Sequence, residues 1–205
     1  MPDPGTPSHQ PDAETEDPRH NHLCPVWIGR LLVSPIRRLV EDPAKILAPF
    51  VSRGSTVVDA GCAMGFHSLD LARLVGPEGR VICLDVQQKM LDGLVKRGRR
   101  KGLDGVIEPR LCDQNGLGLD DVAGRAELVT AFNVVHETSF PERFLHECSD
   151  ALMPGGRLLI VEPRGHVTPG DFAESIAAAT GLGLIPEPAP RVFKSLTALF
   201  AKPTG

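Results

Sequence analysis

From Arg53-Gly54 onward, short unbroken apolar runs alternate with stretches in which apolar residues recur at helical spacing. The unbroken runs read as strands buried on both faces, at residues 56–59, 80–85, 106–111, 128–132 and 157–162. Between them, Leu69/Ala72/Leu74/Val75, Met90/Leu91/Leu94/Val95 and Phe144/Leu145/Cys148/Leu152 mark amphipathic helices. This alternation predicts a parallel sheet with helices on both sides, the first of them opening near Gly65.

Thr168-Pro169-Gly170-Asp171 supplies an N-cap, a first-turn proline and a capping-box acid, so a last helix should run from there to about Gly181. Two β-like runs follow, at 191–193 and 197–201. Only Lys194-Ser195-Leu196 separates them, so they are expected to pair as an antiparallel hairpin.

The N-terminal part departs from this pattern. Residues 1–19 are rich in Pro, Asp, Glu, Ser and Thr and nearly lack large apolar side chains, so they read as a disordered tail. Apolar residues return over 26–51, punctuated by Pro35, Pro43 and Pro49, which predicts two or three short helices. The organisation expected is a tail (1–19), a helical lid segment (20–51) and one α/β domain (52–205).

Composition narrows the function. A chain of 205 residues fits a single core. The net charge of -4 gives no general attraction to phosphate backbones, so no nucleic-acid partner is expected. The basic run Lys96, Arg97, Arg99, Arg100 and Lys101 reads as the solvated outer face of a helix. Five cysteines with no C-x-x-C pair point to a reduced, cytoplasmic protein. No stretch approaches the roughly 18 apolar residues of a membrane span, and the N-terminus has no signal-peptide core.

The chemistry concentrates at strand ends. Asp59-Ala60-Gly61-Cys62-Ala63-Met64-Gly65 is a strand end, a glycine turn and a helix start, at the carboxyl edge where open α/β sheets bind ligands. Its G-x-x-x-G spacing is not the G-x-G-x-x-G of a dinucleotide site. Asp59 would oppose a pyrophosphate and suits a ligand with a cationic amino group. Asp85 ends the next strand, where an acid can hold a ribose through both hydroxyls, and Asp113 follows the third.

On these residues the chain resembles the class I S-adenosylmethionine-dependent methyltransferases, over roughly residues 46–202. That family's D-x-G-x-G-x-G turn is met by Asp59, Gly61 and Gly65, with Ala63 at the middle glycine, where a negative φ would accommodate its methyl. The resemblance implies a Rossmann-like seven-stranded sheet, six strands parallel and the last inserted antiparallel, with helices on both faces. It implies S-adenosylmethionine as cofactor, with Asp85 on the ribose, Asp113 on the adenine amino group, and Cys62, Val86, Gln114 and Asn133 beside them. The run from Ala131 to Glu137 resembles the motif lining the methyl-transfer site, and Leu152 to Leu158 the turn into strand five.

His136 and Glu137 after strand four, with Glu162 and His166 after strand five, should converge on one rim of that site as catalytic groups. The structural alternatives are that Glu137 and Glu162 bond loop backbone and that His166 caps the last helix. The acceptor expected is a small molecule entering under the lid segment. There His20, His22 and Cys24 stand at alternate positions, and Cys24 could orient a soft acceptor such as a thiol or metalloid; packing of Cys24 beside Trp27 is the structural alternative.

Overall fold

A computed structural model describes residues 41–113 and 116–204. The tail, most of the lid segment with His20, His22 and Cys24, and Gln114 lie outside the described residues. The described chain begins with α1 (Pro43–Leu47), started by Pro43 in its first turn, and a 3-10 turn (Ala48–Phe50).

The sheet then builds in the order the apolar runs predict. Strands β1 (Thr56–Ala60), β2 (Arg80–Asp85), β3 (Ile107–Leu111), β4 (Ala126–Phe132) and β5 (Leu152–Pro163) are parallel, with helices α2 (Ser68–Val75), α3 (Gln88–Arg99) and α4 (Pro141–Ala151) between them. Helix α5 (Pro169–Gly181) leads to β6 (Ile185–Glu187) and β7 (Ser195–Ala201). The sheet order is β3-β2-β1-β4-β5-β7-β6, and β7 runs antiparallel to both neighbours. Six strands are therefore parallel and the last is inserted against them. Thr168 and Asp171 exchange the two capping-box bonds that start α5.

Alternation along each strand divides the core. Val58, Ile82, Val129 and Ile160 face α4 and α5, packing on Leu145, Cys148 and Phe172. Val57, Val81, Leu128 and Leu159 face the other way, onto Leu47, Leu69, Leu91 and Leu94 of α1, α2 and α3.

Four local expectations are corrected. The strand before β7 is not at 191–193: β6 pairs Ile185 with Ala201 and Glu187 with Leu199, leaving a longer connection. Pro188 and Pro190 remove N–H donors from that connection, and Val192 packs into the core instead of pairing. Helix α2 opens at Ser68 rather than near Gly65, because the turn bond from Gly65 N–H to the Cys62 carbonyl keeps residues 62–66 out of the helix. Strand β5 starts at Leu152, ahead of the expected 157, with a register shift against β4 that accommodates the Pro-Gly-Gly turn. Arg97 also leaves the solvated face expected of its helix and donates to the Met64 carbonyl.

The two glycines of the turn after β1 are held by packing. Both have left-handed φ, +74° at Gly61 and +76° at Gly65. A Cβ on Gly61 would lie 2.6 Å from Val134 Cγ2, and one on Gly65 2.2 Å from Leu94 Cδ1. Gly65→Ala therefore combines backbone strain with overpacking and should lower stability by about 2–4 kcal/mol. Urea unfolding measures it; a loss under about 1 kcal/mol would show that Leu94 moves aside freely.

Candidate active site

The cavity lies at the carboxyl edge of β1, β2 and β4. Main-chain donors of Gly61 and Cys62 both reach the Leu84 carbonyl, at 2.9 and 2.8 Å, which ties the glycine turn to β2. From the turn, Gly61, Cys62 and Ala63 line the cavity; Asp85 and Val86 close it after β2, and Asp113 after β3. Asn133 and Glu137 contribute from beyond β4. The cavity offers about 160 Å³, many times the roughly 10–15 Å³ that admits one water.

Asp85 is held on both oxygens. It is 8% exposed; its Oδ2 accepts from Ala63 N at 2.9 Å and its Oδ1 from Gln87 N at 2.8 Å. Burial raises its pKa, against these two backbone donors. Each oxygen keeps a further lone pair for a ligand. The bond from Ala63 has a backbone cost: Ala63 adopts φ +46°, not the negative φ that would accommodate its methyl. Asn133 shares the left-handed region at φ +53°, which asparagine tolerates better than alanine.

Asp59 is not a cavity residue. The register sets Asp59 opposite Cys83 and Ala60 opposite Leu84, so Asp59 lies two residues deeper than Asp85. It is 1% exposed and accepts from Ser68 Oγ at 2.5 Å and Thr130 Oγ1 at 2.9 Å. Burial raises its pKa, opposed by His67, Ser68 and Thr130. Gly65 likewise lies behind the wall, against Leu94.

Of the four rim groups only Glu137 lines the cavity. Glu162, 1% exposed, takes Val134 N and Val135 N on Oε1 at 3.2 and 2.9 Å and His136 Nδ1 on Oε2. It holds the loop after β4, the backbone-bonding alternative. His136 lies beside exposed His166, with ring centroids 6.1 Å apart, and neither these rings nor Glu162 lines the cavity. Thr168, not His166, caps α5. Burial alone would lower the His136 pKa, but the hydrogen bond and charge of Glu162, with the charge of Glu137, raise it overall. Among the described residues no three His, Cys, Asp or Glu side chains are placed to hold a metal ion, and no helix is long and apolar enough to cross a membrane.

Sequence reasoning missed His67, which does line the cavity. Its ring stacks on Phe132 at 3.6 Å and 13°, and its Nε2 meets Glu41 Oε1 at 2.8 Å. The only signal in the sequence is its place two residues after Gly65, and nothing in one chain separates it there from a surface histidine.

A family model described as a methyltransferase domain matches residues 51–181. Over 110 residues, 54% of this chain, it is 36% identical to an uncharacterized 37.1 kDa protein in transposon TN4556 of Streptomyces fradiae, of which it covers 30%. Over 116 residues, 55% of this chain, it is 31% identical to the ubiquinone/menaquinone biosynthesis C-methyltransferase UbiE of Enterobacter sp. (strain 638), of which it covers 44%. The chain thus spans less than half the length of these relatives. Among solved structures, a SAM-dependent methyltransferase from Aquifex aeolicus superposes with TM-score 0.75 at 25% identity, covering 87% of this chain and 98% of that one.

Two outcomes follow from the backbone and the rim. Ala63→Gly should raise stability by about 0.5–1 kcal/mol, the left-handed penalty removed less the added chain entropy; urea unfolding that shows no gain would mean the turn is unstrained at Ala63. A folded-state His136 pKa above its usual 6.5 adds stability that is complete below 6.5 and lost as pH rises through the folded value. Stability of His136→Gln relative to wild type should therefore be lowest near pH 6 and recover toward pH 8.5; a constant difference over that range would leave His136 with no raised pKa.

Proposed function

This chain belongs to the methyltransferase-domain family, and from that premise we propose that it binds S-adenosylmethionine in the cavity and transfers its methyl group to a small-molecule acceptor. The observation that carries the reading is the charge of the wall. Among the described residues the cavity lining includes Asp85, Asp113 and Glu137 and no Lys or Arg. Such a wall suits a ligand carrying a sulfonium and an ammonium and repels the pyrophosphate of a nicotinamide dinucleotide.

The residues present fit that cofactor. Asp85, with spare lone pairs at the end of β2, would accept from the ribose hydroxyls, and Asp113 after β3 stands on the adenine side. Val86, Met90 and Leu117 offer apolar surface for the ring, and Asn133 and Val134 complete the wall beside the glycine turn. The bound cofactor supplies an activated methyl group on sulfur. The chain's part is to hold acceptor and methyl in line and to keep water out, to which the apolar surface of Phe66 and Phe132 on the cavity wall contributes.

A small acceptor is supported by the largely apolar cavity and by relatives named for quinone biosynthesis. The net charge of -4 gives no support to a nucleic-acid acceptor. A soft acceptor oriented by Cys24 draws on a residue outside the described ones. The cavity's own Cys112 is a poor substitute, because burial pushes its thiol up to about 11.

Calorimetric titration with S-adenosylhomocysteine tests the cofactor reading. Binding should be seen, and Asp85→Ala should weaken it by about tenfold or more, since ribose contacts are lost and the Ala63 and Gln87 donors are left unpaired. Unchanged affinity in a folded Asp85→Ala protein would place the cofactor elsewhere; tight binding of a nicotinamide dinucleotide instead would overturn the reading.

A further inference from the structure

His67 is the one imidazole among the described residues of the cavity wall, and its surroundings fix both its orientation and its tautomer. Phe132, at the end of β4, covers one face of the ring in a near-parallel stack, and Phe66 meets it edge-on with centroids 5.1 Å apart. The Glu41 carboxylate can only accept, so His67 Nε2 donates across the 2.8 Å contact. In the neutral ring Nδ1 then carries the lone pair. Among the described residues Nδ1 has no hydrogen-bond partner, and because no buried polar side-chain atom lacks one, Nδ1 keeps accessible surface on a side chain that lines the cavity. An imidazole held by a carboxylate at one nitrogen, with the other nitrogen unpartnered on the wall of a largely apolar cavity, is the arrangement of a general base.

We propose that His67, held by Glu41, is the base that takes the acceptor's proton, and that the acceptor is accordingly a neutral hydroxyl compound of the phenol or enol class. The inference rests on the cofactor reading above. As the acceptor oxygen forms its bond to the methyl carbon, its proton passes to His67 Nδ1; the carbon–sulfur bond breaks with its electron pair returning to sulfur, and the imidazolium later loses the proton to water. Charge balances, one cation entering on sulfur and one leaving as the proton. Phenols and enols hold their proton near neutral pH and need such a base, whereas a thiol is already partly ionised and a tertiary amine has no proton to lose. The charged groups facing His67 suit this role. Glu41, from the segment before α1, bonds the ring directly, and buried Asp59 of β1 interacts with it electrostatically. Along its own helix Asp70 is paired with Arg73.

The test uses 4-nitrophenol, whose ionised form absorbs where the neutral form does not, added to protein saturated with S-adenosylhomocysteine below the phenol's solution pKa. Wild type should bind it and raise the phenolate band. His67→Gln should abolish the band while S-adenosylhomocysteine affinity and melting temperature stay near wild type, and Glu41→Gln should leave a weakened band. With S-adenosylmethionine, catechol and 4-nitrophenol should turn over; kcat in His67→Gln should fall on the order of 100-fold with little change in KM, and added imidazole should restore part of it in His67→Ala. The same phenolate band in His67→Gln, no phenol binding to the loaded protein, or turnover confined to 2-mercaptoethanol or arsenite would each overturn the role of His67 and leave the cofactor reading standing. Failure of S-adenosylhomocysteine to bind wild type would overturn both.

Discussion

The carboxylate of Asp59 joins three elements at one buried point. It lies on β1, takes the hydroxyl of Ser68 from the first turn of α2, and takes the hydroxyl of Thr130 from β4. Hydrogen bonds to a charged group contribute about 1.5–3 kcal/mol each, and a buried charge left without them costs more. The clamp therefore sets where α2 begins relative to the sheet. Ser68 is the residue after His67, so the same bond that starts the helix aims the His67 ring at Phe132. The glycine turn between these anchors has little freedom left, and Leu94 and Val134 fill the space its two glycines vacate.

The acids at the strand ends divide by depth. Asp59 pairs in register with Cys83, below the edge of the sheet, and works on the fold. Asp85, two residues higher, reaches the cavity while steadying Ala63 and Gln87. Glu162 stands at the edge beside the cavity loop, yet Val134, Val135 and His136 use its acceptors. Two buried acids thus build the walls, and Asp85, Asp113 and Glu137 give the cavity its charge. That division accounts for an acidic site in a protein whose net charge is only -4: the sign is set locally, where low dielectric makes each charge count for more.

Strain is placed where the ligand is expected. Ala63 and Asn133, both on the cavity wall, adopt left-handed backbone. A middle glycine would relax the turn, and the alanine narrows it by one methyl. The Asp85 bond to Ala63 N offsets the cost and presents the carboxylate toward the cavity at the same time.

Much of the fold was legible in one chain, because strand burial and helix amphipathicity are local periodicities. The five parallel strands, the helices between them and the capped start of α5 follow from Val57-Val58, Ile82, Leu128-Val129, Leu158-Leu159 and Thr168–Asp171. Asp85, Asp113, Asn133 and Glu137 were legible as cavity residues because a strand's carboxyl end is itself a sequence position. The penultimate strand was not, since Val192-Phe193 and Leu184-Ile185 carry similar β-propensity and only pairing with β7 chose between them. The depth of Asp59, the withdrawal of Glu162 and His136 from the cavity, and the sign of φ at Ala63 were settled by contacts across 22 to 72 residues of chain. His67 is the clearest case: its neighbours Glu41 and Phe132 come from 26 residues before and 65 after, and an imidazole becomes a base only through what the tertiary fold stacks on its face and bonds to its far nitrogen.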